Sequence, residues 1–334
     1  MKNRKVLFLL LFLFVRAFSA HAAWVWSPES GKFVNPEGSV QGTAEEDFDY
    51  AMKFYREKNL KEAAEKFHQI LKKYPSARIA PEAYYRLGTI YEETGDTLKG
   101  FKTYKTLIET YPQSDRFSEV IEREFSIGNL FFAGKKAKLA GLEILPSLPR
   151  AVEVFEHIVK SAPYSTYGDQ AQFQLGLSYK KWNHYAEAVT AFQTLIDQYS
   201  KSSLLDKARF QLAETSFLRS SAEFRDQRVL DDASKEVDKF MNRYPGAEHE
   251  SSEKAAKLRQ AIDEKNSEKN YRIGLYYEKE KYLESAFIYY SDAAKKYPDT
   301  KWGQKAAERL KALKNPADYL GTQEKQAAEE EVAG

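Results

Sequence analysis

The 334 residues carry 51 Lys and Arg against 49 Asp and Glu, and no cysteine. That leaves no disulfide, thiolate metal site, cysteine nucleophile or lipidated cysteine to consider, and no basic excess that would argue for nucleic acid or an anionic membrane surface. With 22 Tyr and 21 Phe the chain can bury a large core, yet 30% charged residues point to a high surface-to-volume shape such as an elongated helical array.

Lys2, Arg4 and Lys5 precede the unbroken apolar run Val6 to Val15, and Ala20-His21-Ala22 offers small residues at a cleavage spacing. Residues 1–22 therefore read as an export signal cut after Ala22, and the remaining chain would hold 47 basic and 49 acidic side chains, a net charge of about −2. The apolar run is too short to cross a hydrocarbon core of ~30 Å, and no later run is longer, so no transmembrane segment is expected after cleavage.

Residues 23–43 form an aromatic N-terminal extension, "AWVWSPESGKFVNPEG". Trp24 and Trp26 alternate before a Ser30-Gly31 turn and Phe33, which suits a short β-hairpin or an extended strand. Such a segment could cap the open end of a repeat array or serve as an aromatic foothold on a partner or a membrane interface.

From residue 44 to 314 one punctuation mark recurs. Tyr-Pro closes a run at Pro75, Pro112, Pro245 and Pro298, and Pro163 and Ser200 occupy equivalent places. Proline cannot continue a helix, so each marks the stop of the second helix of a two-helix unit, giving six units. Upstream of each stop an aromatic precedes a small residue by three: Phe48/Ala51, Tyr85/Gly88, Phe125/Gly128, Phe173/Gly176, Phe210/Ala213 and Tyr271/Gly274. A second small residue on the following helix, Ala63, Gly100, Ala151, Ala188, Ala233 or Ala286, would let the two helices approach closely.

Four units keep 24 residues between the first small residue and the stop, with Gly88 to Pro112 an example. Two are stretched, to 35 residues between Gly128 and Pro163 and to 32 between Ala213 and Pro245, and the excess falls inside each hairpin. Both insertions read as loops projecting from one edge, and "LEILPSLP" is apolar enough that it should cover a neighbouring helix. Between Pro245 and Gly274 no Pro or Gly follows Gly246, which predicts one long helix. Residues 315–334, acidic and rich in small side chains after Pro316, read as a disordered tail.

No chemistry-bearing motif emerges. The five histidines are scattered, "HESSE" at His249 lacks the second histidine of a helical zinc site, and no phosphate-cradling loop or nucleophile elbow occurs. The carboxylates alternate with lysines as on a solvated helix face. No catalytic, cofactor or metal residue is expected.

The 24-residue spacing and "AYYRLGTIYEETGDTLKGFKTYKTLIETYP" resemble the tetratricopeptide repeat, a helix-turn-helix unit. The resemblance implies an all-α right-handed superhelical solenoid of about six helical hairpins, with Phe48, Tyr85, Phe125, Phe173, Phe210 and Tyr271 as a candidate ladder along a peptide groove. The same aromatics could equally pack between hairpins and meet no ligand. "EEDFDYAMKFYREKNLKEAAEKFHQILKKYPSARIAPEAYYRLG", the unit stretched at "LRSSAEFRDQRVLDD", and the long helix running into "NYRIGLYYEKEKYLESAFIYYSDAAKKYPDTKWGQKAAERLKAL" together resemble the BamD-like (YfiO-type) tetratricopeptide lipoproteins of the outer-membrane β-barrel assembly machine. That likeness implies a non-enzymatic scaffold in the periplasm, peripheral at the inner face of the outer membrane. Its expected partners are the periplasmic domains of a β-barrel assembly protein and unfolded outer-membrane protein clients, with Tyr276, Tyr277 and Trp302 in the docking half. The chain departs from the family in having six hairpins for five and no lipidated cysteine. A second similar family, the periplasmic coordinators of the Tol-Pal and cell-wall synthesis type, opens with a coiled coil, and no heptad run precedes residue 44.

Overall fold

The computed structural model describes residues 25–27, 32–34, 43–139, 142–222, 227–243 and 250–313. The export signal, Trp24, the Ser30-Gly31 turn, the Pro245 stop and the acidic tail lie outside the described residues. The described chain is helical apart from two small hairpins and divides into two compact units, residues 1–117 and 118–334.

Two strands open the described chain. Strand β1 (Val25–Ser27) pairs antiparallel with β2 (Lys32–Val34), with Trp26 opposite Phe33 in the register. Of the two forms the alternation suits, a β-hairpin or an extended strand, the pairing is that of the hairpin.

Unit 1 holds two helical hairpins, α1 (Ala44–Arg56) with α2 (Leu60–Lys73) and α3 (Ala80–Glu93) with α4 (Thr97–Thr110). Thr43 caps α1, accepting from the Glu46 backbone N–H while the Glu46 carboxylate accepts from the Thr43 N–H, so the expected entry to the array is a capping box. Pro81 sits in the first turn of α3, where its missing N–H has no partner to lose.

Unit 2 contains α5 (Phe117–Phe132), of which Ser118 onward belongs to it, a β-hairpin of β3 (Ala137–Leu139) and β4 (Leu142–Leu145), and α6 (Ser147–Ser161). There follow α7 (Gly168–Lys181), α8 (Tyr185–Gln198), α9 (Leu205–Ala222), α10 (Gln227–Arg243), α11 (Glu250–Lys279), α12 (Leu283–Lys296) and α13 (Lys301–Ala312). The helices from α6 on pack against their successors in chain order, except that α11 also packs on α9 and on α13, which follows the last hairpin as an additional first-type helix.

The stops behave as proline predicts. Helices α2, α4, α6, α8 and α12 each end one residue before the residue preceding the stop, and the capping residues Tyr74, Tyr111, Ala162, Tyr199 and Tyr297 share φ between −112° and −140° with ψ between 50° and 63°. The residue before a proline is driven out of the helical region. Tyr199 adopts the same backbone ahead of a serine, so Ser200 is a true equivalent of the prolines.

Inside four hairpins the chain turns at a residue seven after the first small residue with positive φ: Lys58 (60°), Gly95 (75°), Asn183 (62°) and Lys281 (64°). Only Gly95 takes this left-handed conformation without a steric cost.

The two stretched hairpins differ from expectation and from each other. Between α5 and α6 the inserted residues fold as β3–β4 rather than covering a helix: Leu142 and Ile144 are 65% and 58% exposed. Backbone pairing satisfies the insertion's polar groups locally, so it needs no helix to lie on. Between α9 and α10 the insertion is mostly helix. Helix α9 runs nine residues past Ala213 where α1, α3 and α7 run five past their small residue, and α10 begins six residues before Ala233 where most second helices begin three before theirs. The segment has no Pro or Gly to stop either helix, so each continues for about a turn. The long helix is present as predicted, with α11 spanning 30 residues.

Candidate protein interaction surface

The six ladder aromatics share one geometry. Each packs against an aromatic on the second helix of its own hairpin: Phe48 on Phe67 at 5.4 Å between ring centroids, Tyr85 on Tyr104 at 6.3 Å, Phe125 on Phe155 at 5.8 Å, Phe173 on Phe192 at 5.7 Å, Phe210 on Phe240 at 5.7 Å and Tyr271 on Tyr290 at 5.4 Å. All six second-helix partners are buried. Five of them stand four residues after the second small residue, one helical turn on and on the same face. The sixth, Phe240, stands seven after Ala233, and Val237 fills the usual place. This recurring aromatic is legible in the sequence as Phe67, Tyr104, Phe155, Phe192 and Tyr290, and it is the signal that reading the first helices alone passes over.

The glycines follow from the same contact. A Cβ on Gly176 would stand 2.6 Å from Phe192, one on Gly128 2.6 Å from Phe155 and one on Gly274 2.8 Å from Tyr290, and Gly88 meets Tyr104 closer still. The expected approach of small to small residue is also present, since a Cβ on Gly100 would lie 3.4 Å from the Gly88 carbonyl oxygen.

Three of the ladder rings meet further side chains from outside their own hairpin pair. Arg116 lies 4.5 Å over the Tyr85 ring while its Nε donates to Glu82 at 2.6 Å. Phe125 meets Tyr167 at 5.1 Å, and Tyr271 meets Trp302 at 5.2 Å, with Lys305 4.7 Å from the Trp302 ring. Trp302 is thus part of the α11–α13 packing and does not join Tyr276 and Tyr277.

Those two tyrosines belong to a different cluster at the turn of the last hairpin. Tyr277 stacks on Tyr289 at 5.6 Å with 12° between the planes and meets Tyr276 at 5.5 Å and Tyr282 at 6.4 Å edge to face. Tyr276 is 60% and Tyr282 57% exposed, and Ile288 on α12 is exposed as well. The turn residue Lys281, with its positive φ, folds Tyr282 and Tyr289 back toward Tyr276 and Tyr277. Tyr282 and Tyr289 carry no signal in the local sequence spacing, because only the turn brings them to Tyr277. Four phenol rings with apolar bodies and polar tips form a surface suited to a protein partner.

Among the described residues no group of three or more His, Cys, Asp or Glu is placed to hold a metal ion, and no helix is long and apolar enough to cross a membrane. One buried polar pair stands out in unit 2, His157 on α6 with its Nδ1 2.8 Å from Glu124 Oε2 on α5. It joins the two helices of a hairpin and is buried.

Residues 146–332, more than half of the chain, match the model of the YfiO family, described as outer membrane lipoprotein, and residues 82–114 match a tetratricopeptide repeat model. The chain belongs to the YfiO family. The YfiO match spans the sequence from the end of β4 through α13, including the tyrosine cluster, and the repeat match coincides with the α3–α4 hairpin. No curated protein matches the chain. Similar solved structures include a tetratricopeptide repeat protein from Parabacteroides merdae, 16% identical over 81% of this chain and 99% of that one, with a TM-score of 0.32. They also include the type IV pilus biogenesis factor PilW, at 14% identity, 80% and 100% coverage and a TM-score of 0.31. A third is a Thermus thermophilus tetratricopeptide protein, at 18% identity, 65% and 98% coverage and a TM-score of 0.30.

Proposed function

We propose that this YfiO-family chain is a non-enzymatic scaffold of the bacterial cell envelope that works in outer-membrane β-barrel protein assembly. The observation that carries the reading is the cluster of exposed Tyr276 and Tyr282 with half-buried Tyr277 and Tyr289 inside the family-matched region. Its partner would be the periplasmic part of a β-barrel assembly protein, as the family resemblance implies. Tyrosines of this kind carry a large share of interface energy because they bury wide areas with few rotatable bonds. The ladder aromatics, in this reading, hold each hairpin together, and unfolded clients are held elsewhere on the array. Residence in the periplasm, at the inner face of the outer membrane, belongs to the same proposal.

Affinity purification from crosslinked envelopes tests it. The β-barrel assembly protein should be recovered with the wild-type chain and lost with Tyr276→Ala/Tyr277→Ala/Tyr282→Ala. Recovery of Tol or cell-wall synthesis proteins in its place would favour the periplasmic coordinator instead. For the N-terminal β-hairpin, whose backbone register sets Trp26 opposite Phe33, we propose a cap on the array. Deleting residues 24–38 should lower the melting temperature; unchanged stability with weaker envelope association would make the segment, Trp24 included, a foothold.

A further inference from the structure

Two grooves occupy equivalent positions in the two units. In unit 1 a groove of about 440 Å³ runs between α2 and α4 with α3 as its floor. In unit 2 one of about 580 Å³ runs between α8 and α10 over α9. The repeat frame matches their linings: His68 and Gln193 both stand five after the second small residue, Leu71 and Ile196 eight after it, and Leu87 and Leu212 just before the first small residue. A groove at this place is therefore a product of hairpin stacking, while its chemistry is a matter of side-chain choice.

The choices differ. The unit 2 groove mixes the two signs: Arg209, Lys239 and Arg243 share its lining with Glu236, which pairs with Lys239 at 2.7 Å, and Arg209 reaches Asp206, outside the lining, at 3.8 Å. The unit 1 groove is lined by Lys72, Lys99 and Lys102 with His68, Thr103 and Thr106, and by no carboxylate. Lys99 has one acidic neighbour, Asp96, at 2.9 Å, whereas Lys72 and Lys102 have no ion-pair partner among the described residues. The floor is apolar and aromatic, made of Leu71, Leu87, Tyr84 and Tyr91, with the Tyr91 hydroxyl 2.7 Å from His68 Nε2. Burial, and after it the Lys99 charge, hold the His68 imidazole below its ordinary value of 6.5.

We infer that the unit 1 groove binds an acidic, extended segment of a partner protein, its carboxylates on Lys72, Lys99 and Lys102 and an apolar side chain on the Leu71–Leu87–Tyr84 floor. Like-signed cations set over an apolar floor, with no acid between them, are complementary to a chain that alternates carboxylates with apolar side chains. A nucleic acid would also meet the cations but offers nothing to the leucine floor. This surface lies in a different unit from the tyrosine cluster and goes beyond the docking proposed there.

The test is fluorescence anisotropy of the full chain with a fluorescein-labelled dodecapeptide alternating Glu and Leu. A matched peptide with Gln for each Glu and a single-stranded oligothymidine serve as comparisons. The acidic peptide should bind, with affinity falling as salt rises. Lys72→Glu/Lys102→Glu, two exposed substitutions whose fold circular dichroism would verify, should weaken binding by about tenfold or more. Lys239→Glu in the unit 2 groove should leave it unchanged. Equal binding of the Gln peptide, equal affinity of the double variant, absence of binding, or displacement by oligothymidine at matched charge would each overturn the inference. None of these outcomes bears on recovery through the tyrosine cluster, so the two proposals fail separately.

Discussion

The hydroxyl of Tyr290 donates to Glu278 at 2.6 Å, and the same bond recurs in the second hairpin between Tyr104 and Glu92. In both, the tyrosine stands four after the second small residue and the glutamate four after Gly274 or Gly88. Where the buried ring is phenylalanine, at Phe67, Phe155 and Phe192, the matching first-helix residue is Tyr55, Phe132 or Lys180, never an acid. A buried phenol needs an acceptor, and the hairpin supplies one only where the phenol is present.

Tyr290→Phe should therefore destabilise the chain by about 1.5–3 kcal/mol, the net worth of a hydrogen bond to a charged group. The reverse change, Phe155→Tyr, should cost more, because Phe132 cannot accept from the new hydroxyl. Urea denaturation of both variants measures this, and a neutral Phe155→Tyr would sink the account.

Gly176→Ala sets a methyl 2.6 Å from the buried Phe192 ring. A packed core cannot absorb that without off-rotamer side chains, so a cost of about 1–3 kcal/mol is expected despite the better helix propensity of alanine. Gly176→Ala with Phe192→Leu should recover part of the loss relative to the sum of the single changes. Strict additivity would show that the two residues do not share the contact.

Much of this architecture can be read from the chain alone, because its strongest signals are local. Proline stops a helix wherever it falls, so the hairpin ends at Tyr74, Tyr111, Ala162 and Tyr297 were legible, and Tyr199 followed by spacing. The fate of an insertion was less so. "LEILPSLP" is equally apolar as a covering loop or as a strand, and only its pairing with Ala137–Leu139 decides between them. The docking candidates divided for a similar reason. Tyr277 meets Tyr282 and Tyr289 across a turn, whereas Trp302 meets Tyr271 across α11 and α13, and neither meeting is a matter of local spacing.

Lys58 holds φ at 60° in the turn of the first hairpin, where the second hairpin uses Gly95. Relief of the left-handed strain outweighs the larger unfolded-state freedom of glycine, so Lys58→Gly should stabilise by up to about 1 kcal/mol. Its 3.1 Å pair with Glu93 is exposed and subtracts little. A lowered melting temperature would refute the expectation.

His68 gives a pH dependence with a definite sign. Its folded value lies below the ordinary 6.5, owing first to burial and then to Lys99, so the unfolded chain takes up the proton first. The contribution of His68 is complete above pH 6.5 and is lost as the pH falls through the folded value. Relative to His68→Gln, the wild-type melting temperature should decline on acidification below pH 6.5, and NMR titration of the ring should give a value under 6.5. Parallel melting curves with pH would contradict this.

The buried pair of Glu124 and His157 makes the last prediction. Its 2.8 Å hydrogen bond ties α5 to α6 away from solvent. Replacing His157 with Leu removes that hydrogen-bond partner from a carboxyl group that water cannot reach, and should cost about 1–3 kcal/mol. Replacing both residues with Leu removes the polar requirement together with its partner, and an apolar pair of fair fit should restore much of the loss. The double-mutant cycle is read by denaturation at neutral pH. A double variant less stable than His157→Leu alone would mean that the pair holds the hairpin by a contact that packing cannot replace.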